Sequence, residues 1–259
     1  MHNNTFSPPV KLLKITIIGI FLITLPTFSA PQNEKKHVPK NFTQAKKSLI
    51  KIYQNTPNPV TFYCNCPISW VGKKSVIDLE SCGYKYRKNE SRALRLEWEH
   101  VVPASKFIPY SLTGEPRACW KNGGRKNCEK NDPEYQKMEA DLHNLQPAIG
   151  EVNGDRGNLP FSSWDSNTGQ VYGQCTIKID FKRDEVEPPD SAKGQIARTY
   201  LYMYDRYKLN FSLAELILMD HWNKTFPVTA WECERERTIA SIQLNHNQYV
   251  KNDCDKLKL

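Results

Sequence analysis

A mixed α+β fold, one domain with a helical C-terminal half, is what the sequence predicts. Three observations carry it. Short extended runs broken by turns fill Val60–Arg95, and Leu94, Leu96 and Trp98 alternate with charged residues as a half-buried strand does. Beyond Pro188-Pro189, apolar residues recur at helical spacing behind recognisable caps. Neither an internal repeat nor a low-complexity tract interrupts the chain.

In chain order, Lys11 and Lys14 precede the eleven uncharged residues Ile15–Leu25, followed by Pro26 and the small residues Ser29 and Ala30. A basic start, a short apolar stretch and small residues predict a signal peptide over 1–30; eleven residues is short for the alternative, an uncleaved anchor. Residues 31–41 read as a leader and 42–259 as the folded domain. Thr43–Gln54 places Ala45, Leu49, Ile52 and Tyr53 on one helical face, stopped by Pro57. Val60–Tyr63 and Val76–Leu79 read as strands, and the strand through Trp98 runs on to end at Pro103. Residues 113–131 read as a Gly- and Lys/Arg-rich loop. Asp132 caps a helix with Pro133 in its first turn, ending near Leu142. Leu145–Ile149 is extended and Gly150–Arg156 helical. Ser191 caps a helix bearing Ile196, Tyr200 and Tyr204, Ser212 and Glu215 form a capping box for Leu213–Trp222, and a last helix spans Thr229 to Gln243.

The chain of 259 residues carries a net charge of +8 and eight cysteines, all beyond the signal. That size supports a full core, and no later apolar run is long enough to cross a membrane. An even cysteine set in an exported chain predicts disulfides. Cys119–Cys128, closing a short loop, is the one pairing the spacing predicts. Zinc is disfavoured, because no C-x-x-C occurs and Cys64-x-Cys66 is too tight.

Among the histidines, His37, His221 and His246 read as surface or structural, whereas His100 and His143 lie beside carboxylates and amides. Glu99-His100 pairs a hard oxygen ligand with an imidazole, near a strand end where both can enter one site. Arg125 follows Gly123-Gly124 in the basic loop, a setting suited to phosphate, and Asn153, Asp155 and Arg156 gather an amide, a carboxylate and a guanidinium. Together these residues fit metal-assisted phosphodiester hydrolysis. An exported basic protein that binds or takes up DNA without catalysis is the alternative; it has no need for Glu99, His100 and Asn153 together.

Three blocks are more specific: EWEHVVPAS at 97–105, CWKNGGRKNCEKND at 119–132 and MEADLHNLQPAIGEVNGDRGNLPFS at 138–162. They resemble the bacterial endonuclease I family of periplasmic and secreted non-specific nucleases, and the resemblance extends over roughly residues 42–250. It implies a ββα-metal (His-Me finger) core in 42–259. It also implies His100 as general base, Glu99 and Asn153 as ligands of one Mg²⁺, and Arg125 on the scissile phosphate. His143 and Asn144 match a family block, where a structural role is expected. Double- and single-stranded DNA are the implied partners, with RNA a credible one; products carry 5′-phosphates, and binding is sequence-blind and salt-sensitive. A monomer in the periplasm or outside the cell is expected. One departure is visible. Gln243–Tyr249 reads QLNHNQY, with Leu244 and Gln248 where the family has glycine and proline, far in sequence from the catalytic blocks.

Overall fold

The computed structural model describes Met1 and residues 38–109 and 113–259. The expected signal and the leader up to residue 37, His37 included, therefore lie outside the described residues, Met1 apart. Helix α1 (Phe42–Gln54) starts where Asn41 accepts a hydrogen bond from the Gln44 amide, and buries Ala45, Leu49, Ile52 and Tyr53. That face packs on Ala140, Leu142, Leu145 and Ile239.

The expected strand at Val60–Tyr63 is a turn instead, with a single bridge from Val60 to Pro67. Buried Thr61 folds the chain back: its amide donates to Cys66 O, its hydroxyl accepts from the Cys66 amide, and Asn65 adopts φ 53°. The extended pair lies just after this turn, as β1 (Ile68–Val71) and antiparallel β2 (Lys74–Ile77), so the second strand begins and ends two residues before the expected Val76–Leu79. A one-turn helix, α2 (Glu90–Ala93), capped by Asn89, precedes the site.

β3 (Leu96–His100) pairs antiparallel with β4 (Leu145–Ile149), Leu96 opposite Ile149 and His100 opposite Leu145. Between them, residues 113–131 are not an open loop. Two short helices, α3 (Ala118–Lys121) and α4 (Gly124–Asn131), are joined through Gly123 and Gly124 at φ 140° and 64° and tied by the Cys119–Cys128 disulfide. Next comes α5 (Pro133–Glu139), capped by Asp132 as predicted but stopping before Leu142. There Asp141 caps a fresh 3-10 turn over Leu142–Asn144 by accepting from the His143 amide. Helix α6 (Gly150–Arg156) follows β4 without a linker.

The hairpin β5 (Lys178–Asp180) and β6 (Glu185–Glu187) was not predicted; three-residue strands give too short an alternation to read. The C-terminal part is helical. α7 (Asp190–Tyr207) begins one residue after Pro189, ahead of the expected Ser191 cap. α8 (Leu213–Thr225) has the predicted capping box at Ser212 and Glu215. α9 (Ala230–Gln243) is not the last helix, since α10 (Gln248–Leu257) returns and is tied to it by Cys233–Cys254. Cys64–Cys175 and Cys66–Cys82 complete four disulfides, and no cysteine is free among the described residues.

The main core gathers Val101, Val102, Ala148, Ile149 and Val152 against Ile196, Tyr200, Met203 and Trp222. The β3–β4–α6 unit is thus held from behind by α7 and α8. Among the described residues, no helix is long and apolar enough to cross a membrane.

Candidate active site

The last two residues of β3 meet a cleft of about 660 Å³. Glu99, His100, Arg125 and Asn153 all line it, together with Glu97, Arg92, Trp120 and Tyr135. Strand alternation alone would separate Glu99 from His100. The strand end and the turn toward Pro103 let both reach the cleft.

His100 is held by three neighbours. Its ring lies 4.8 Å from that of Phe42 and 6.2 Å from that of Phe107. Nε2 sits 2.9 Å from the main-chain oxygen of Glu139. A carbonyl oxygen only accepts, so Nε2 carries the proton and Nδ1 keeps its lone pair. Burial pushes the imidazole pKa down to about 4; the Glu139 carbonyl opposes this, and Arg125 and Arg156 add to it. The ring is neutral at neutral pH and can accept a proton at Nδ1.

Glu99 is 2 % exposed. Its Oε1 accepts from Tyr63 Oη at 2.9 Å and from Arg156 Nη1 at 2.9 Å. Oε2 accepts no hydrogen bond from a described residue. Burial raises this carboxyl above the usual range, with Arg156 and then Tyr63 pulling it back. Asn153, on α6, donates from Nδ2 to Glu97 Oε2 at 2.7 Å, and its Oδ1 accepts no hydrogen bond from a described residue. Two residues that line the same cleft therefore each keep one oxygen, a carboxylate's and an amide's, without a hydrogen bond from a described residue. Such a donor set suits a hard cation that keeps most of its water, such as Mg²⁺. Among the described residues there is no cluster of three or more His, Cys, Asp or Glu able to hold a metal. The sparse pair at the cleft is the cation candidate.

Arg125 stands near the start of α4, half-exposed, donating from Nε to Glu129 at 2.7 Å and from Nη2 to Glu139 at 2.6 Å. Glu139 thus touches two site residues, the guanidinium through its carboxylate and the imidazole through its main chain. Burial pushes its carboxyl up to about 7 against the pull of Arg125.

The four residues singled out in the sequence line one cleft, while Arg156, Asp155, His143 and Asn144 do not. Arg156 does not face a phosphate: it is fully buried, donating to Glu99 and to the carbonyls of His100 and Val101. Asp155 points elsewhere, to Arg87 and Tyr172. Asn144 staples the chain after β3, exchanging hydrogen bonds with both main-chain groups of Val102. His143 lies in a separate pocket against Tyr202. The QLNHNQY segment, remote in sequence, docks on this block, with the Gln243 side chain on Asp141 and Leu142 and Asn245 O beside His143. Sequence reasoning missed Tyr63 and the roles of Glu97 and Glu139, and no local pattern marks them.

The model of the Endonuclease I family matches residues 41–254, from the cap of α1 into α10, and so includes every part of this cleft. The chain belongs to the Endonuclease I family. It is 53% identical over 222 residues to an Endonuclease-1 of Buchnera aphidicola subsp. Acyrthosiphon pisum, covering 86% of this chain and 85% of that one. A periplasmic deoxyribonuclease of Aeromonas hydrophila is 44% identical over 249 residues, 96% of this chain and 99% of its own. An extracellular deoxyribonuclease of the same organism is 48% identical over 216 residues, 83% and 90% of the two chains. These matches cover 83% or more of this chain and 85% or more of each relative, so the likeness is not confined to the cleft.

Proposed function

We propose that this chain is an exported, sequence-non-specific endonuclease that hydrolyses DNA, and RNA as well, to 5′-phosphate products with one Mg²⁺ and a histidine general base. The observation that carries this reading is the state of His100: its Nε2 proton is committed to Glu139 O, which leaves Nδ1 as the basic nitrogen, and the residue lines a cleft shared with Glu99, Asn153 and Arg125. The names of the nuclease relatives support DNA as substrate, and the four disulfides support an oxidising destination, the periplasm or the exterior. In this reading residues 1–30 are the signal, 31–41 a leader and 42–259 the nuclease domain. β3, β4 and α6 form its ββα-metal (His-Me finger) core. All four groups come from one chain, so a monomer suffices.

Glu99 Oε2 and Asn153 Oδ1 would hold the cation. When bound, Mg²⁺ supplies Lewis-acid neutralisation of charge on the phosphate and on the departing 3′ oxygen. His100 Nδ1 takes the proton of the attacking water, a service worth about 10²–10⁴-fold in rate. Phe42 and Phe107 keep the ring in one plane, and the Glu139 carbonyl fixes which nitrogen is the base. Arg125 turns its remaining N–H groups to a phosphate oxygen, countering charge that grows in the transition state. No group in the cleft is committed to a base edge, so double- and single-stranded substrates are both accommodated, through their phosphates.

Incubating the mature protein with supercoiled plasmid tests the reading. Nicking and then complete degradation are expected in Mg²⁺, with full arrest in EDTA and recovery on adding Mg²⁺ back. Intact plasmid under all conditions, with DNA retained on the protein, would instead favour a binding protein.

A further inference from the structure

The amide of Asn153 is held from behind by a device that spans three elements. Its Nδ2 donates to Glu97 Oε2. Arg92 grips the same carboxylate with two parallel bonds, Nε to Oε1 at 3.0 Å and Nη2 to Oε2 at 2.9 Å. A carboxylate only accepts, so the NH₂ end of the amide must face Glu97 and Oδ1 must face away from it. The Arg92 guanidinium lies directly on α6 at Gly154: a Cβ there would stand 2.0 Å from Nη1 and 2.3 Å from Cζ. Gly150, one turn earlier on the same face, is as tight, since its Cβ would meet Arg92 O at 2.5 Å and Glu97 Oε1 at 2.9 Å. The two glycines strip one face of α6, and the α2–β3 segment fills the space.

We infer that Arg92, Glu97 and Gly154 are positioning residues that lock Asn153 with Oδ1 offered to the cleft, and thereby set the affinity for the divalent cation. This rests on the reading of Asn153 as a cation ligand. Arg92 acts here through Glu97, to whose carboxylate both Nε and Nη2 donate. The Glu99 side is fixed separately by Tyr63 and Arg156, so each ligand has one atom clamped by the protein and one oxygen left over. Such outer partners typically carry about 10- to 100-fold in metal affinity. Without the clamp, Asn153 would sample other rotamers, and part of the binding free energy would go to reordering it.

Gly154→Ala offers an unusually selective perturbation. The new methyl meets only the far end of the flexible Arg92 side chain, and alanine suits a helix interior better than glycine. The experiment is Mn²⁺ binding to the intact protein without nucleic acid, followed by electron paramagnetic resonance. Thermal unfolding of each variant runs alongside. Asn153→Ala is expected to weaken Mn²⁺ at least tenfold, and Glu97→Ala by about 10- to 100-fold. Gly154→Ala should weaken it several-fold with an unchanged or higher unfolding temperature, and adding Arg92→Ala to it should cause no further loss. If Asn153→Ala binds Mn²⁺ as the wild type does, the ligand reading itself fails. If Asn153→Ala weakens binding while Glu97→Ala and Gly154→Ala do not, the ligand stands and the positioning inference falls. Loss in Glu97→Ala with none in Gly154→Ala would make Glu97 a direct ligand and would also overturn the inference.

Discussion

His100 and His143 are near twins in chemistry and opposites in surroundings. Both rings are buried, both bring Nε2 to a main-chain carbonyl (Glu139 at 2.9 Å, Asn245 at 3.1 Å), and both pack on aromatic rings. Burial drives both pKa values down to about 4. The space around them differs. His100 opens on the 660 Å³ cleft with its unpaired oxygens, whereas the void that His143 borders is about 10 Å³, room for one water at most. Around His143, Asp141 accepts from Tyr202, Tyr207 and Gln243, a network closed on itself. A perturbed imidazole therefore does not make a site here; access and unpaired neighbours do.

The sharpest way to break the comparison is to remove a group found on one side only. Arg125→Ala is expected to lower kcat by about 10²-fold with the fold retained, as loss of one charge-stabilising donor does. His143→Gln, which keeps a donor for Asn245 O, should leave kcat unchanged in the same plasmid assay. A loss confined to KM in Arg125→Ala would move that residue to general DNA binding.

What the two histidines share should appear as a stability effect. Their folded-state pKa values near 4 lie below the unfolded value of about 6.5, so the folded state binds fewer protons between those limits. Stability from each is complete above pH 6.5 and is lost as pH falls toward 4, by at most about 3 kcal/mol per ring. Glu139, raised to about 7, works in the opposite direction over the same range. Urea unfolding across pH 7 to 4 should therefore show a shallower loss in His143→Gln than in the wild type. An identical slope would mean that His143 is protonated without cost.

The smallest effect concerns the segment that closes the His143 side. Leu244 ends α9 in the left-handed conformation, φ 61°, with its side chain 60% exposed. A side chain there costs energy that glycine avoids, and little burial is lost on removing it. Leu244→Gly should raise stability by about 1 kcal/mol in the same unfolding assay, without changing cleavage. A decrease would show that Leu244 contributes packing its exposure does not suggest.

The parts legible in the sequence were those whose partners are local. α1, the capping box of α8, and the β3, β4 and α6 runs each announce themselves through caps or periodicity within a few residues. Glu99 and His100 stood out as neighbours at a strand end, and Asn153 and Arg125 through family blocks. Long-range pairing was not legible. Tyr63 reaches Glu99 across 36 residues, and Arg235 reaches Tyr53 across 182. Val60–Tyr63 read as a short extended run, while Thr61 and the disulfide-bonded Cys64 and Cys66 belong to a turn. Arg156 read only as a guanidinium gathered beside Asn153 and Asp155; only the fold reveals Glu99 and the carbonyls of His100 and Val101 as its partners. The QLNHNQY departure seemed remote because sequence distance says nothing of α9 returning to the 141–144 turn.

Single-turnover cleavage by His100→Ala, with its DNA affinity measured at the same salt, tests most directly whether the open imidazole is the base. A rate at least about 100-fold below wild type is predicted, with affinity and unfolding temperature close to normal. Cleavage at the wild-type rate in that variant would contradict the account.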